Sequence, residues 1–206
     1  MSEPIENYSP RQRRLQTDFE VLSTLANESG AFAFEVCYRG ELDLPESYLL
    51  WFYGPSLVRV CDPFEYGIRI TEEHQCRITL GPHYPRHMPN LQWITPIFHP
   101  NIAPSGAVCL GGYSSYWVPS LQIDHLCEML WDMLCFRNFN LESPYNREAA
   151  QWLAQQTTFT FPLETRELRH IPQRGSRNRT TETNAESFRS VSSNQLADTG
   201  IQFLDD

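Results

Sequence analysis

Hydrophobic spacing changes period twice along this chain, and that order limits the folds open to it. Within residues 11–25, Leu15, Phe19, Leu22 and Leu25 recur at three- and four-residue steps, the spacing of an amphipathic helix. Pro10 stands ahead of it as a start signal and Gly30 lies beyond its end. From Phe32 the period falls to two: Phe32, Phe34, Val36 and Tyr38 share one side of a strand. Further strand candidates are residues 48–53, 66–70, 75–80 and 91–94, punctuated by Gly54-Pro55 and Gly81-Pro82. Helical spacing returns over residues 121–134, with Ile123, Leu126, Leu130, Met133 and Leu134 as the buried stripe, and again over 146–156. One helix, an antiparallel meander, an irregular Pro-rich stretch and then helices describe an α+β domain.

The chain has 206 residues, enough for one domain and a tail. The domain is assigned to residues 1–163. Beyond Leu163 the composition turns to Arg, Ser, Thr, Asn and Gln, so 164–206 is expected to be a polar, disordered tail. Its last residues, Ile201-Gln202-Phe203-Leu204-Asp205-Asp206, form an apolar-acidic patch that reads as a frayed end or a docking peptide. A formal net charge of -9 argues against a nucleic-acid partner, whose phosphates demand basic patches. No apolar run approaches the ~20 residues that cross a bilayer. The acidic start, Met-Ser-Glu-Pro, lacks the layout of a signal peptide. A soluble cytoplasmic protein without a membrane partner is therefore expected. The six cysteines contain no Cys-x-x-Cys pair and read as free thiols. His74, Cys76, His83 and His87 lie near one another in sequence but lack the second tight pair of a zinc site. No metal or cofactor is expected.

Lysine is absent: all 16 basic residues are Arg. About ten lysines would be ordinary in this length. Codon bias in a GC-rich genome is one explanation. The other is chemical. A protein that carries an activated acyl group is exposed to its own amines, because proximity makes internal attack fast, and Arg stays protonated where Lys can lose its proton. The two explanations are compatible.

The chemistry-bearing residues cluster after the meander. Tyr84-Pro85 and Pro89 precede Thr95-Pro96-Ile97-Phe98-His99-Pro100-Asn101-Ile102; Cys109 follows eight positions after Asn101, and Trp117-Val118-Pro119 comes next. Ser143-Pro144-Tyr145-Asn146-Arg147-Glu148-Ala149-Ala150 enters the last helix. In this order these segments resemble the ubiquitin-conjugating enzymes, over approximately residues 11–153. The resemblance implies the ubiquitin-conjugating fold. It also implies an acyl transferase that takes ubiquitin or a ubiquitin-like protein from an activating enzyme as a thioester on Cys109. The acyl group then passes to an amine of a protein substrate, with or without a ligase.

Residue by residue, the resemblance implies the following. Cys109 is the nucleophile, as a thiolate; the other five cysteines take the default of a structural thiol. Asn101 donates its side-chain N–H to the oxyanion, a contact worth ~3 kcal/mol in comparable sites, or orders the loop. His99 braces that loop, and Pro100 sets the backbone between them. Glu142 or Ser143 forms a gate that orients the incoming amine; both also suit a helix cap. Arg11, Arg13 and Arg14 match a basic first helix presented to the activating enzyme. Trp117 packs under the active-site loop beside Pro119, and Arg86 occupies a position in the Tyr-Pro loop that docks ligases.

Several positions depart from the family pattern. Gly111 and Gly112 follow the cysteine where an acidic residue is common. Arg86 replaces an apolar residue. Val118 and Ser120 replace Ser and Ala, His125 and Glu128 stand where many members help hold the donor ubiquitin, and the meander is long. These departures fit a diverged or bacterial conjugation system with its own modifier, including the relatives found in bacterial defence gene clusters. The competing reading is a non-catalytic binding module of the same fold. A cysteine hydrolase ranks last, since no His suits a Cys at a helix start.

Overall fold

The computed structural model describes residues 8–61, 66–111 and 117–173. The acidic first residues, Gly112 and the tail from 174, including the Ile201–Asp206 patch, lie outside the described residues.

Helix α1 spans Pro10–Glu28. Ser9 caps it: the Ser9 hydroxyl accepts from the Gln12 N–H at 3.3 Å, and the Gln12 side chain accepts from the Ser9 N–H at 2.7 Å. This reciprocal box satisfies two of the orphan donors at a helix start. The opposite end is capped from far away. Gln173 donates its side-chain N–H to the carbonyls of Ala26, Asn27 and Ser29 at 3.1, 3.0 and 3.1 Å, filling acceptors that a helix terminus leaves empty.

Four antiparallel strands follow, β1 (Phe32–Arg39), β2 (Pro45–Cys61), β3 (Tyr66–Thr79) and β4 (Asn90–Trp93), hydrogen-bonded in chain order. Phe32 faces Phe52 across the first pair, Leu50 faces Cys76 across the second, and Cys76 faces Trp93 across the third. Two strand boundaries differ from the sequence expectation. The candidates at 66–70 and 75–80 are one continuous strand, β3, paired along its length with a 17-residue β2. Gly54-Pro55 does not end β2; the register slips between Tyr53 and Ser56 instead. A bulge of this kind lets a strand carry a proline that has no N–H to give.

Gly54 has a second reason to be glycine. A Cβ there would lie 2.3 Å from the Trp131 ring. Gly54→Ala is therefore expected to cost about 1–3 kcal/mol through overpacking, read as a lower urea midpoint with an unchanged m-value.

Helix α2 spans Ile123–Leu134 and α3 spans Arg147–Gln155. The α3 cap is Asn146, whose side-chain oxygen accepts from the Ala149 N–H at 3.1 Å, so neither Glu142 nor Ser143 caps it. The main core joins Leu15, Leu22 and Leu25 of α1 and Leu126, Leu130 and Leu134 of α2 to Tyr48, Leu50 and Phe52 of β2, all buried. A second cluster joins Leu57 and Phe98 to Phe136, Ala149 and Leu153, with Trp152, Phe159, Phe161 and Leu163 packed on it. It seats α3 against the segment that leads to His99. No helix among the described residues is long and apolar enough to cross a membrane.

The packed chain continues past Leu163, where the composition shift had placed the domain boundary. Trp131 donates its indole N–H to the Arg166 carbonyl at 3.0 Å, and Gly30 donates to the Ile171 carbonyl at 2.8 Å. Leu168 is buried, and its carbonyl accepts from the Ser29 hydroxyl. Arg169 pairs with Glu28 at 2.6 Å, with Glu128 at 2.9 Å and with Asp124. Few apolar residues suffice here because backbone and charge-assisted hydrogen bonds do most of the anchoring.

Candidate active site

After β4 the chain turns inward. Phe98 donates its N–H to the Leu57 carbonyl at 2.7 Å, and Phe98 and His99 are buried. Burial pushes the His99 pKa down to about 3, so the ring is neutral. Its Nδ1 accepts from the Asn101 N–H at 3.1 Å, which places the ring proton on Nε2. The ring lies 4.7 Å from that of Phe136.

The next two carbonyls organise the site. Pro100 O accepts from the N–H groups of both Tyr145 and Asn146 at 2.8 Å each, and Asn101 O accepts from the Cys109 N–H at 2.9 Å. Segments more than thirty residues apart are thus held on one dipeptide. The Asn101 side chain is almost fully buried. Its amide donates to the Asn140 carbonyl at 2.9 Å, and its oxygen accepts from the Asn140 N–H at 2.7 Å. The Asn140 side chain then accepts from the N–H groups of Glu142 and Ser143 at 2.7 and 3.3 Å. A ladder of asparagines fixes the 138–146 stretch beside the cysteine.

The loop between Asn101 and Cys109 folds back on β4. Trp93 donates its N–H to the Gly106 carbonyl at 2.8 Å. Gly106 has φ +86°, and a Cβ would lie 2.1 Å from the Trp93 carbonyl oxygen, so only glycine fits. Cys109 emerges half-buried on the wall of a small cavity shared with Asn101, Met129, Met133, Phe139 and Asn140. The remaining cysteines divide into buried Cys76, Cys127 and Cys135 and exposed Cys37 and Cys61. Burial pushes the Cys76 thiol up to about 12.

The expected gate residues, Glu142 and Ser143, are both exposed. Tyr145 is exposed, and its N–H is held by the Pro100 carbonyl next to the Asn101 carbonyl that holds the Cys109 N–H; the Cys109 sulfur nearby holds the phenol above its ordinary value. Sequence reasoning placed Tyr145 only as part of a motif and passed over Asn140. Their sole signal was their place beside Glu142 and Ser143.

The residues expected to meet partners also divide. Trp117 donates its indole N–H to the Pro85 carbonyl at 2.7 Å, locking the Trp-x-Pro loop to the Tyr-Pro loop. Arg86, Val118 and Pro119 remain exposed on those loops. Of the three arginines expected to face an activating enzyme, Arg13 is exposed, and the other two turn inward. Arg11 pairs with Glu46 at 2.8 Å and donates to the Leu80 and Gly81 carbonyls at 3.3 and 3.2 Å. Arg14 pairs with Asp18 at 2.9 Å, donates to the Tyr84 hydroxyl at 2.9 Å, and reaches the Pro119 and Leu121 carbonyls. Tyr84 in turn donates to Asp18 at 2.6 Å. Burial pushes the Asp18 carboxyl up, and the bonds from Tyr84 and Arg14 pull it back.

Comparison with known proteins gives this arrangement a class. The model of the ubiquitin-conjugating enzyme family matches residues 71–167. Ubiquitin-conjugating enzyme E2 S of Drosophila ananassae is 27% identical over 161 residues, 74% of this chain and 65% of that protein. The chain thus spans just under two thirds of that relative's length. Ubiquitin-conjugating enzyme E2 2 of Candida albicans is 28% identical over 145 residues, covering 69% of this chain and 70% of that one. The S. cerevisiae Ubc12 structure superposes with a TM-score of 0.53 at 22% identity, covering 73% of this chain and 75% of that one, a likeness of fold. The likeness to the ubiquitin-conjugating enzyme family thus spans residues 71–167, just under half of the chain, and the fold is shared.

Proposed function

We propose that the protein is a thioester carrier: Cys109 accepts the C-terminal carboxyl of ubiquitin or a ubiquitin-like protein from an activating enzyme and passes it to an amine of a protein substrate. The observation that carries this reading is the placement of Cys109. Of the six cysteines it is the one hydrogen-bonded through its N–H to Asn101, beside an asparagine ladder, in a cavity open to solvent. In loading, the Cys109 thiolate attacks the incoming thioester carbonyl and the activating enzyme's sulfur leaves. In discharge, an amine attacks the same carbonyl carbon and the C–S bond breaks. Asn101 has a double part in this scheme. The bonds to Asn140 order the loop, and the second hydrogen of its amide supports the oxyanion of the tetrahedral intermediate. The exposed Arg86, Val118 and Pro119 offer the surface on which a ligase would dock. The absence of lysine leaves the loaded carrier without a side-chain amine of its own to modify.

A loading assay tests the proposal. The protein is mixed with ubiquitin, activating enzyme and ATP, and then with ubiquitin-like alternatives, and run on non-reducing gels with and without thiol. A thiol-sensitive adduct is expected that disappears in Cys109→Ala. In Asn101→Ala the adduct should form, with discharge to free lysine slowed about 100-fold. A folded protein that forms no adduct with any modifier would instead be a binding module.

A further inference from the structure

We propose that Asn140 is a positioning residue for the discharge step: its side-chain oxygen clasps the backbone of Glu142 and Ser143 and holds that gate in register with Asn101 and Cys109. The stretch between α2 and α3 has little else to hold it. Residues 137–143 are all exposed, so burial supplies no anchor beyond the Phe139 ring. That ring leans on those of Phe136 and Phe161, at centroid distances of 6.1 and 6.4 Å. Among the described residues, 139–144 make no backbone–backbone hydrogen bond. The nearest such bonds on either side run from the Asn138 N–H to the Asp132 carbonyl at 3.1 Å and from the Tyr145 N–H to the Pro100 carbonyl at 2.8 Å. Two asparagine side chains take the place of a ladder. Asn101 exchanges a pair of bonds with the Asn140 backbone, at 2.9 and 2.7 Å. The Asn140 side-chain oxygen then accepts from the Glu142 N–H at 2.7 Å and the Ser143 N–H at 3.3 Å. This is an Asx turn, in which the side chain stands in for a backbone carbonyl.

Asn140 therefore lies at a join. Its backbone fixes the Asn101 amide, and its side chain fixes the gate. Asn101, Cys109 and Asn140 line one cavity, so the clasp sits on the wall where the acyl group would be transferred. The clasp matters for one half-reaction only. In loading, Cys109 is the nucleophile and no amine enters. In discharge, the amine nitrogen bonds to the thioester carbonyl carbon and Asn101 meets the oxyanion. The C–S bond then breaks, its electron pair returns to the Cys109 sulfur, and the amine proton passes to solvent. A gate free to drift leaves the amine misplaced, which lowers the rate without touching the reacting groups. This use of the clasp rests on the transferase reading; the clasp itself does not.

Two variants of the full chain test the proposal. Asn140→Ala removes the acceptor, and Asn140→Asp keeps an oxygen in its place. Discharge of the ubiquitin-loaded protein to free lysine is measured beside loading, and hydrogen exchange of the Glu142 and Ser143 amides is followed by NMR in the unloaded protein. Asn140→Ala should load at the wild-type rate, discharge about tenfold more slowly, and exchange both amides about tenfold faster, the effect of losing hydrogen bonds of ordinary strength. Asn140→Asp should restore both discharge and protection. Wild-type discharge in Asn140→Ala, or unchanged exchange, would overturn the proposal. Equal slowing in Asn140→Asp would overturn it too, because the N–H that a carboxylate lacks would then be the group in use. Slowed loading beside slowed discharge would mark a residue that supports the fold and not the gate. If no modifier loads the wild-type protein while the exchange difference holds, the transferase reading fails and the clasp stands.

Discussion

Acidification from pH 6.5 to pH 5 is expected to remove about 3 kcal/mol of folding stability, a large share of the margin that a domain of this size holds. The cause is a pair of buried neutral histidines. Burial pushes His99 down to about 3 and His74 down to about 4, from an ordinary 6.5. His74 donates its Nε2–H to the Thr71 carbonyl at 3.1 Å, and its ring sits 6.1 Å from that of Trp93. Above pH 6.5 neither folded nor unfolded chain protonates these groups, so their contribution is complete. Below it the unfolded chain binds two protons that the native state refuses. Stability then falls by about 1.4 kcal/mol per group for each pH unit. The loss runs down through about 4 for His74 and about 3 for His99. Asp18 works in the opposite sense: its carboxyl, raised by burial, takes up a proton in the native state first. Urea titrations at pH 7.5, 6 and 5 measure the slope. His74→Gln cannot titrate and should remove about half of it. A stability flat from pH 7.5 to 5 would show that the two rings are not held neutral.

Arg14→Ala is expected to cost about 3–5 kcal/mol, the usual penalty for leaving a buried charge without its partner. Asp18 is 1% accessible and keeps only the Tyr84 hydroxyl once the guanidinium is gone. The same change frees the carbonyls of Pro119 and Leu121 and loosens the Trp-x-Pro loop. Arg13→Ala, on the exposed side of the same turn, should leave the urea midpoint within experimental error. The comparison separates two roles for a basic first helix. If Arg14 met only an activating enzyme, its loss would slow loading and leave stability intact. A destabilisation confined to Arg14 would mark it as an internal bolt, with Arg13 left as the residue available to a partner.

Both results bear on how much the chain discloses. Helix α1, the meander and α2 were legible because three- and four-residue or two-residue periodicity is a local property, set by which face meets a core. The His99–Asn101 segment and Cys109 were legible as a pattern of residue types at fixed spacing. The split of β3 into two candidates failed for a physical reason. The stretch between Ile70 and Gln75 carries Thr71, Glu72 and Glu73, which look like a turn alone, but Thr71 pairs with Ser56 and Glu73 with Tyr53 on either side of the β2 bulge.

What the order of amino acids determined by itself was the sequence of elements, the α+β class and the neighbourhood of Cys109. The tertiary structure decided which side chains share that neighbourhood. Arg14 looked solvated on its helix until the chain 105 residues later brought the Pro119 carbonyl to it. Gln173 lay in a polar stretch until it met the open end of α1. Tyr145 became a neighbour of Cys109 only because Pro100 and Asn101 offer adjacent carbonyls to two distant segments. Such contacts depend on backbone groups, which every residue carries alike, so no local pattern of side chains announces them.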